Sequence, residues 1–211
     1  MLLTESVMHR YILIFAVALL ALFLVACDRD KPELLYSNDF ESGVLGPEWK
    51  NEGGDWKIEN GHVVSKVALN KDLVLTTPLP AEGVIELDML SHSPIIDVKF
   101  RAWGDQSGNM HDGAYHFILG GWGGKISTLA RLDEHAKDRL EERDTRHKQD
   151  HWYKVKVQRR GGVIDWYLDG AKYLSLKDDK PLAYPQYAYF SFANWKTPCE
   201  FDNLKIYKFG K

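Results

Sequence analysis

Residues 151–170 read HWYKVKVQRRGGVIDWYLDG, and the whole fold can be read outward from them. Tyr153, Val155 and Val157 alternate with Lys154, Lys156 and Gln158. That period of two puts apolar side chains on one face of a strand and polar ones on the other. Arg160-Gly161-Gly162 then breaks the pattern with turn chemistry, VIDWYL resumes it, and Asp169-Gly170 marks a second turn before AKYLSL. Two hairpins in succession are the start of an all-β chain.

The same grammar runs in both directions. It recurs in DWKIENGHVVSK, with Asn60-Gly61 at the turn, and in DLVLTT, VIELDML, IIDVKFRAW, AYHFILG, ISTLARL, QYAYFSF and EFDNLKIY. Roughly a dozen short strands spaced by ~8–12 residues predict an antiparallel sandwich or barrel. Only 134–144, EHAKDRLEERD, reads as helical. It is too polar to bury a wide face, so a short surface helix within a long loop is expected there.

The segments YSNDFES (36–42), DWKIENGHVV, HWYKVKVQRRGGVIDWYLDG and YFSFANWKTPCEFDNLKIY resemble the concanavalin A-like lectin/glucanase superfamily, in particular its laminin-G-like and 3-keto-disaccharide-hydrolase-like bacterial members. The resemblance spans nearly all of 34–209 and rests on hairpin landmarks, not on chemistry. It implies two curved antiparallel sheets in a jelly roll, with ligands across the concave face or its rim loops. It leaves function open, because one fold hosts lectins, hydrolases, lyases and adhesive modules.

Alternation nominates the outward residues. In VIELDML, Ile85, Leu87 and Met89 are core and Glu86 and Asp88 point away. In IIDVKFRAW the core set is Ile96, Val98, Phe100 and Ala102, which turns Asp97, Lys99, Arg101 and Trp103 to the other face. Tyr115, Phe117 and Leu119 turn His116 outward, and Ile126 and Leu132 suggest that Arg131 faces out with Ser127. If these strands form the concave sheet, as the resemblance implies, one surface gathers Glu86, Asp88, Lys99, Arg101, Trp103, His116 and Arg131. Aromatic platforms beside charged groups suit a sugar, which offers an apolar ring face and a hydroxyl edge. The alternative is a solvated sheet decorated with cross-strand ion pairs.

The run HDGAYHFILGGWGGKISTLARLDEH, 111–135, adds a glycine-rich connection around Trp122. Its glycines permit a sharp turn that presents the indole at a rim; a tryptophan plugging the sandwich edge is the competing account. Trp195, in the closing segment, is a further platform candidate. For catalysis the resemblance supplies a test: family-16 glucanases carry two glutamates around an aspartate on one strand. Glu86-Leu87-Asp88 begins that motif, but Leu90 or Ser91 stands where the second glutamate belongs. Retaining hydrolysis would lack its partner acid. His116, His111 or Glu134 remain as acid or base for a lyase or a 3-keto-glycoside-cleaving enzyme, with arginine neutralising developing charge. Asp39 and Asp202, flanked by Asn38, Glu41 and Asn203, could place oxygen ligands around a structural Ca²⁺, or serve ordinary turn chemistry. The histidines lack a compact zinc spacing.

The N-terminus reads as export. Tyr11 to Ala26 is an unbroken apolar run. As a helix it would span roughly 24 Å, short of the ~30 Å hydrocarbon core, which favours a signal segment over a membrane span. Met8 is the expected start, leaving His9 and Arg10 as a basic leader. Leu24-Val25-Ala26-Cys27 resembles a bacterial lipobox, whose cysteine is acylated and becomes the mature N-terminus. The expected organisation is signal peptide 1–26, lipidated Cys27 with a polar tether to 33, and one sandwich domain over 34–211. Acylated Cys27 would hold the protein on a bilayer of the bacterial envelope, with the choice of inner or outer membrane open.

The one other cysteine, Cys199, is then left without a disulfide partner and reads as a small buried residue. A net charge of −3 with no basic tract gives no footprint for nucleic acid. The leading expectation is a lipid-anchored carbohydrate-binding sandwich. A polysaccharide-degrading hydrolase or lyase, and a structural or adhesive module, are the alternatives.

Overall fold

The computed structural model describes residues 31–107, 113–143 and 147–210. Leu34–Lys208 form one compact unit. The strands in chain order are β1 (Pro32–Asn38), β2 (Trp49–Asn51), β3 (Lys57–Glu59), β4 (His62–Ser65), β5 (Leu73–Leu75), β6 (Gly83–Ser91), β7 (Val98–Gly104) and β8 (Tyr115–Gly120). They continue with β9 (Ile126–Arg131), β10 (Leu140–Glu142), β11 (Tyr153–Arg160), β12 (Val163–Leu168), β13 (Ala171–Lys177), β14 (Tyr189–Ala193) and β15 (Cys199–Phe209). Two antiparallel sheets form a sandwich. One runs β13-β12-β11-β6-β15-β4-β3, with β1 on β15; the other runs β10-β9-β8-β7-β14-β5-β2.

The 151–170 stretch folds as its pattern demands. In β11, Tyr153, Val155 and Val157 are buried while Lys154 and Lys156 are exposed, and β11 pairs with β12 through Val157↔Trp166. The core is aromatic and spans the two sheets. Phe100 of β7 and Phe117 of β8 stack at 4.7 Å between ring centroids. Trp166 of β12, from the opposite sheet, meets both rings edge-on at 6.4 and 5.6 Å. Phe192 of β14 stacks on Phe201 of β15 at 4.5 Å, again across the sandwich. Offset and edge-to-face pairs add about 0.5–1.5 kcal/mol each beyond the area they bury.

Two sequence expectations are corrected here. Residues 134–143 form turns and the short strand β10 instead of a helix: Leu140 pairs with Leu129 and Glu142 with Ser127, so edge pairing overrides a polar helical pattern. The helical segment is instead α1, Gly121–Gly124, a single turn whose Trp122 and Gly123 have φ of 51° and 75°. The face assignments across β6 and β7 also change. β6 belongs to the eight-stranded sheet and β7 to the seven-stranded one, so Glu86 and Asp88 do not share a surface with Lys99.

Phe117→Ala removes a ring that contacts both Phe100 and Trp166 at the sheet interface. Equilibrium unfolding in denaturant should show a loss of about 3–5 kcal/mol, the usual cost of emptying a buried aromatic site.

Candidate functional site

The outward face of the seven-stranded sheet is defined by register. Lys99 of β7 stands between Ala193 of β14 and Ile118 of β8, and Ile118 is followed by Thr128 of β9. One step along, Ser191, Arg101, His116 and Ala130 form the next row. Lys99, Arg101 and His116 therefore share a face of one sheet, but they do not share access to solvent.

Arg101 is sealed. Its Nη1 donates to Asp72 Oδ2 at 3.1 Å, and Ser191 Oγ donates to the same oxygen at 2.7 Å. Burial pushes the Asp72 carboxyl up to about 6, and the Arg101 charge pulls it back only in part. His116 is fully buried, with Nε2 2.8 Å from the Leu132 carbonyl oxygen, so it stands as an internal strut and not as an accessible acid or base. Trp103 leaves the outward face altogether. The β7–β14 register slips between Tyr189 and Ser191, and Trp103 takes φ 47° in the resulting bulge. Its ring turns into the core, 6.5 Å from Tyr115, and its Nε1 donates to the Pro80 carbonyl at 2.8 Å.

The other nominated charges are spoken for elsewhere. Arg131 pairs with Tyr115 across β8 and β9, not with His116. Its Nε donates to Asp178 at 2.9 Å and its Nη2 to the Lys180 carbonyl at 2.8 Å. On the opposite sheet, Glu86 accepts from the Tyr207 hydroxyl at 3.2 Å, and Asp88 accepts from Lys154 Nζ at 2.8 Å and Asn203 Nδ2 at 3.0 Å. A depression of about 470 Å³ lies there among Glu86, Asp88, Lys154, Lys156 and Lys205, without an aromatic wall. Asp39 accepts from the Glu41 amide and Asp202 from the Asn203 amide, each closing a local turn. Among the described residues no group of three or more His, Cys, Asp and Glu is arranged to hold a metal, while Asn38, Asp39 and Asn203 of the Ca²⁺ expectation line one depression of about 320 Å³. His111 and Cys27 lie outside the described residues. Cys199 is buried, as its composition suggested, and burial pushes its thiol up.

What does open is a pocket of about 450 Å³ at one end of that outward face. Lys99 and Ile118 form its floor, and Asp97, Glu134 and His135 its polar wall. Trp122 and Trp195 both line it, together with Asn70 and with Ile95, whose backbone lies against the glycine turn that carries Trp122. Four of the sequence candidates thus converge here: Lys99, Trp122, Glu134 and Trp195. Lys99 Nζ lies 3.8 Å from Asp97 Oδ1 and 4.0 Å from Glu134 Oε2, a lysine held between two carboxylates. His135 Nε2 is 3.4 Å from Glu134 Oε1.

Trp122 is only partly buried, at the pocket edge, with the Arg139 guanidinium 4.1 Å from its ring and His135 edge-on at 5.7 Å. The glycines around it are required by the turn. Gly120 has φ 67°, and a Cβ there would come within 2.8 Å of the Ile96 side chain. Trp195 is 42% exposed, with Lys196 Nζ 4.9 Å from its ring.

The walls are strained. Leu69, Asn70, Ile96, Asp97 and Trp122 all have φ between 48° and 58°, a region that costs non-glycine residues about 1–3 kcal/mol. Such strain persists only where the surroundings enforce it. Here Leu69 N donates to the Trp195 carbonyl at 3.0 Å, Asn70 N to Asn194 at 2.9 Å and Asp97 N to Gly120 at 3.2 Å. Asn70 and Ile95 escaped the sequence reading because nothing local marks them; they reach the site through loops far apart in the chain. Asp97 was placed on the right face by alternation, and only its pairing with Lys99 singles it out.

The sequence matches no protein-family model and no curated protein. Solved structures do match. A laminarinase from Flavobacterium sp. UMI-01 aligns with TM-score 0.62 at 14% identity, over 83% of this chain and 100% of its own. SCLam, a non-specific endo-β-1,3(4)-glucanase from family GH16, aligns with TM-score 0.62 at 13% identity, over 86% and 96%. The carbohydrate-binding module CBM66 from Bacillus subtilis aligns with TM-score 0.58 at 13% identity, over 78% and 99%. The chain therefore shares the concanavalin A-like jelly-roll fold of these structures, which include a carbohydrate-binding module and glucanases.

If Arg101 is a strut and not a ligand group, Arg101→Ala must damage the fold. Leaving Asp72 buried without its cation should lower unfolding free energy by about 3–5 kcal/mol. An unchanged melting temperature would show instead that Arg101 is not needed to stabilise that face.

Proposed function

We propose that this protein is exported, acylated at Cys27 and held on a bilayer of the bacterial envelope, where the pocket lined by Trp122 and Trp195 binds carbohydrate. The observation that carries the reading is the pocket itself: two tryptophans line it together with Lys99, which stands between Asp97 and Glu134. Indole faces suit the C–H face of a sugar ring, and the charged groups suit its hydroxyls. Strained loops concentrated at the same place support a functional role for it. Structures of the same fold that bind or cleave polysaccharides support the ligand class.

A second reading is favoured by the two carboxylates. Through their shared lysine, the Asp97 and Glu134 oxygens are at most about 8 Å apart, an upper bound that admits the spacings of glycosidase acid/base pairs. In that reading one carboxyl protonates the glycosidic oxygen while the other takes a proton from the water that attacks the anomeric carbon. The incomplete Glu86-Leu87-Asp88 motif has no part in it, because β6 lies in the other sheet.

Binding of the detergent-solubilised full chain to a glycan array tests the first reading. Trp122→Ala and Lys99→Met should each weaken the best ligand about tenfold or more, on the scale of a lost stacking or charge-assisted contact. Array binding that is absent, or unchanged in both variants, overturns it. Release of reducing ends from that same ligand, abolished by Glu134→Gln, would turn the binding protein into a hydrolase. For the anchor, Cys27→Ser should move the protein from the membrane to the soluble fraction and remove a lipid mass increment from the mature N-terminus.

A further inference from the structure

His92 opens the connection between β6 and β7, the segment that carries Ile95 and Asp97 to the pocket wall. Both of its ring nitrogens face carboxylates. Nδ1 lies 2.6 Å from Asp150 Oδ1, and Nε2 lies 2.7 Å from Glu200 Oε1. A carboxylate accepts, so each bond calls for a proton on the ring, and neutral imidazole has only one. The imidazolium satisfies both; the neutral ring must give one up and set lone pair against lone pair.

The ring is also a junction of three chain segments. The His92 amide donates to the Pro198 carbonyl at 2.8 Å, and Gln149 Nε2 donates to the His92 carbonyl at 2.8 Å. The Asp150 amide donates to the Ser91 carbonyl at 2.9 Å. The second Glu200 oxygen is 2.7 Å from His62 Nδ1. His62 Nε2 in turn lies 3.9 Å from Asp202, and Trp152 packs edge-on against the His62 ring at 4.9 Å. Within ion-pair reach of His92 itself the described charged groups are Asp150 and Glu200, with His62 and Asp202 one step beyond.

The geometry points to protonated His92 as a positioning residue of the carbohydrate pocket: a clasp that holds the Ile95–Asp97 wall in its strained conformation and loosens when the ring loses its proton. This rests on the pocket being the ligand site. The linkage has a definite sign. His92 is raised above its ordinary 6.5, chiefly by the hydrogen bond to Glu200, with burial opposing and Asp150 adding. A base raised in the folded state contributes fully below its ordinary value, and that contribution is lost as pH rises through the raised one. The wall should therefore be firmest under mildly acidic conditions and slacken on the alkaline side of neutrality.

Hydrogen exchange on the full chain in detergent tests this without any ligand. The reporters are the amides of Ile96 and Asp97, which donate to the Ser93 and Gly120 carbonyls. In the wild type their protection factors should fall about two- to fivefold between pH ~6 and pH ~8.5, the scale of a charged hydrogen bond weakened by solvent. In His92→Gln they should not change with pH. Asp150→Asn removes one of the two demands for a proton, so the transition should move toward lower pH. Protection that is flat in the wild type, or that falls equally in His92→Gln, overturns the clasp. Affinity for the array-selected glycan should weaken in parallel. A clasp that operates in a chain that binds no glycan would leave the device standing and remove the pocket's assignment instead.

Discussion

The contact on which the rest depends is the crossing of Trp166 over the stacked rings of Phe100 and Phe117. It joins β12 of one sheet to β7 and β8 of the other, and so decides which parity of each strand faces inward. Because strand side chains alternate strictly, fixing Phe100 and Phe117 inward fixes Lys99, Arg101, His116 and Ile118 on the other face. No loop or surface charge could enforce that choice with comparable energy, since burying aromatic area is the largest favourable contribution available to a sandwich without a disulfide.

The outward face is unusual in being mostly dry. The Arg101–Asp72–Ser191 group lies beneath the surface next to an open pocket, and an ion pair in such a place costs much of what it gains. Its geometry gives it a role as a divider. On one side of it the sheet is closed by Leu132 over His116; on the other it opens onto Lys99. Charged side chains on one strand thus serve two purposes, Arg101 sealed within the structure and Lys99, itself 5% exposed, at the floor of the pocket.

Legibility in the sequence followed the number of faces each strand buries. β11 has one wet face, and its Lys and Val alternation gave the architecture directly. β7 and β8 are buried on both faces, so a polar residue there no longer signals solvent, and Arg101 and His116 were misread for that reason. Trp103 was lost to a one-residue bulge that alternation does not announce. Glu86 and Asp88 were misplaced because the jump from β6 to β7 changes sheet, a matter of topology and not of pattern. The glycines around Trp122, by contrast, pointed to a rim, since consecutive positive φ values leave their mark in composition. Lys99, Glu134 and Trp195 were found residue by residue; their meeting with Asn70 and Ile95 depends on chain crossings that only the folded molecule supplies.

The cation seated on Trp122 carries one more implication. Arg139 lies against one side of the indole, anchored by Glu141 and by the Glu134 carbonyl, while His135 meets the ring edge-on and Ile118 and Ala193 pack against it, so a sugar held as proposed would meet only the part of the ring that the pocket leaves open. A one-sided platform reads handedness: it can tell the two surfaces of a pyranose apart, because axial and equatorial hydroxyls make one flatter than the other. Along a polymer whose units invert from one to the next, only alternate units would offer the matching surface, and the register of the chain would be set in steps of two.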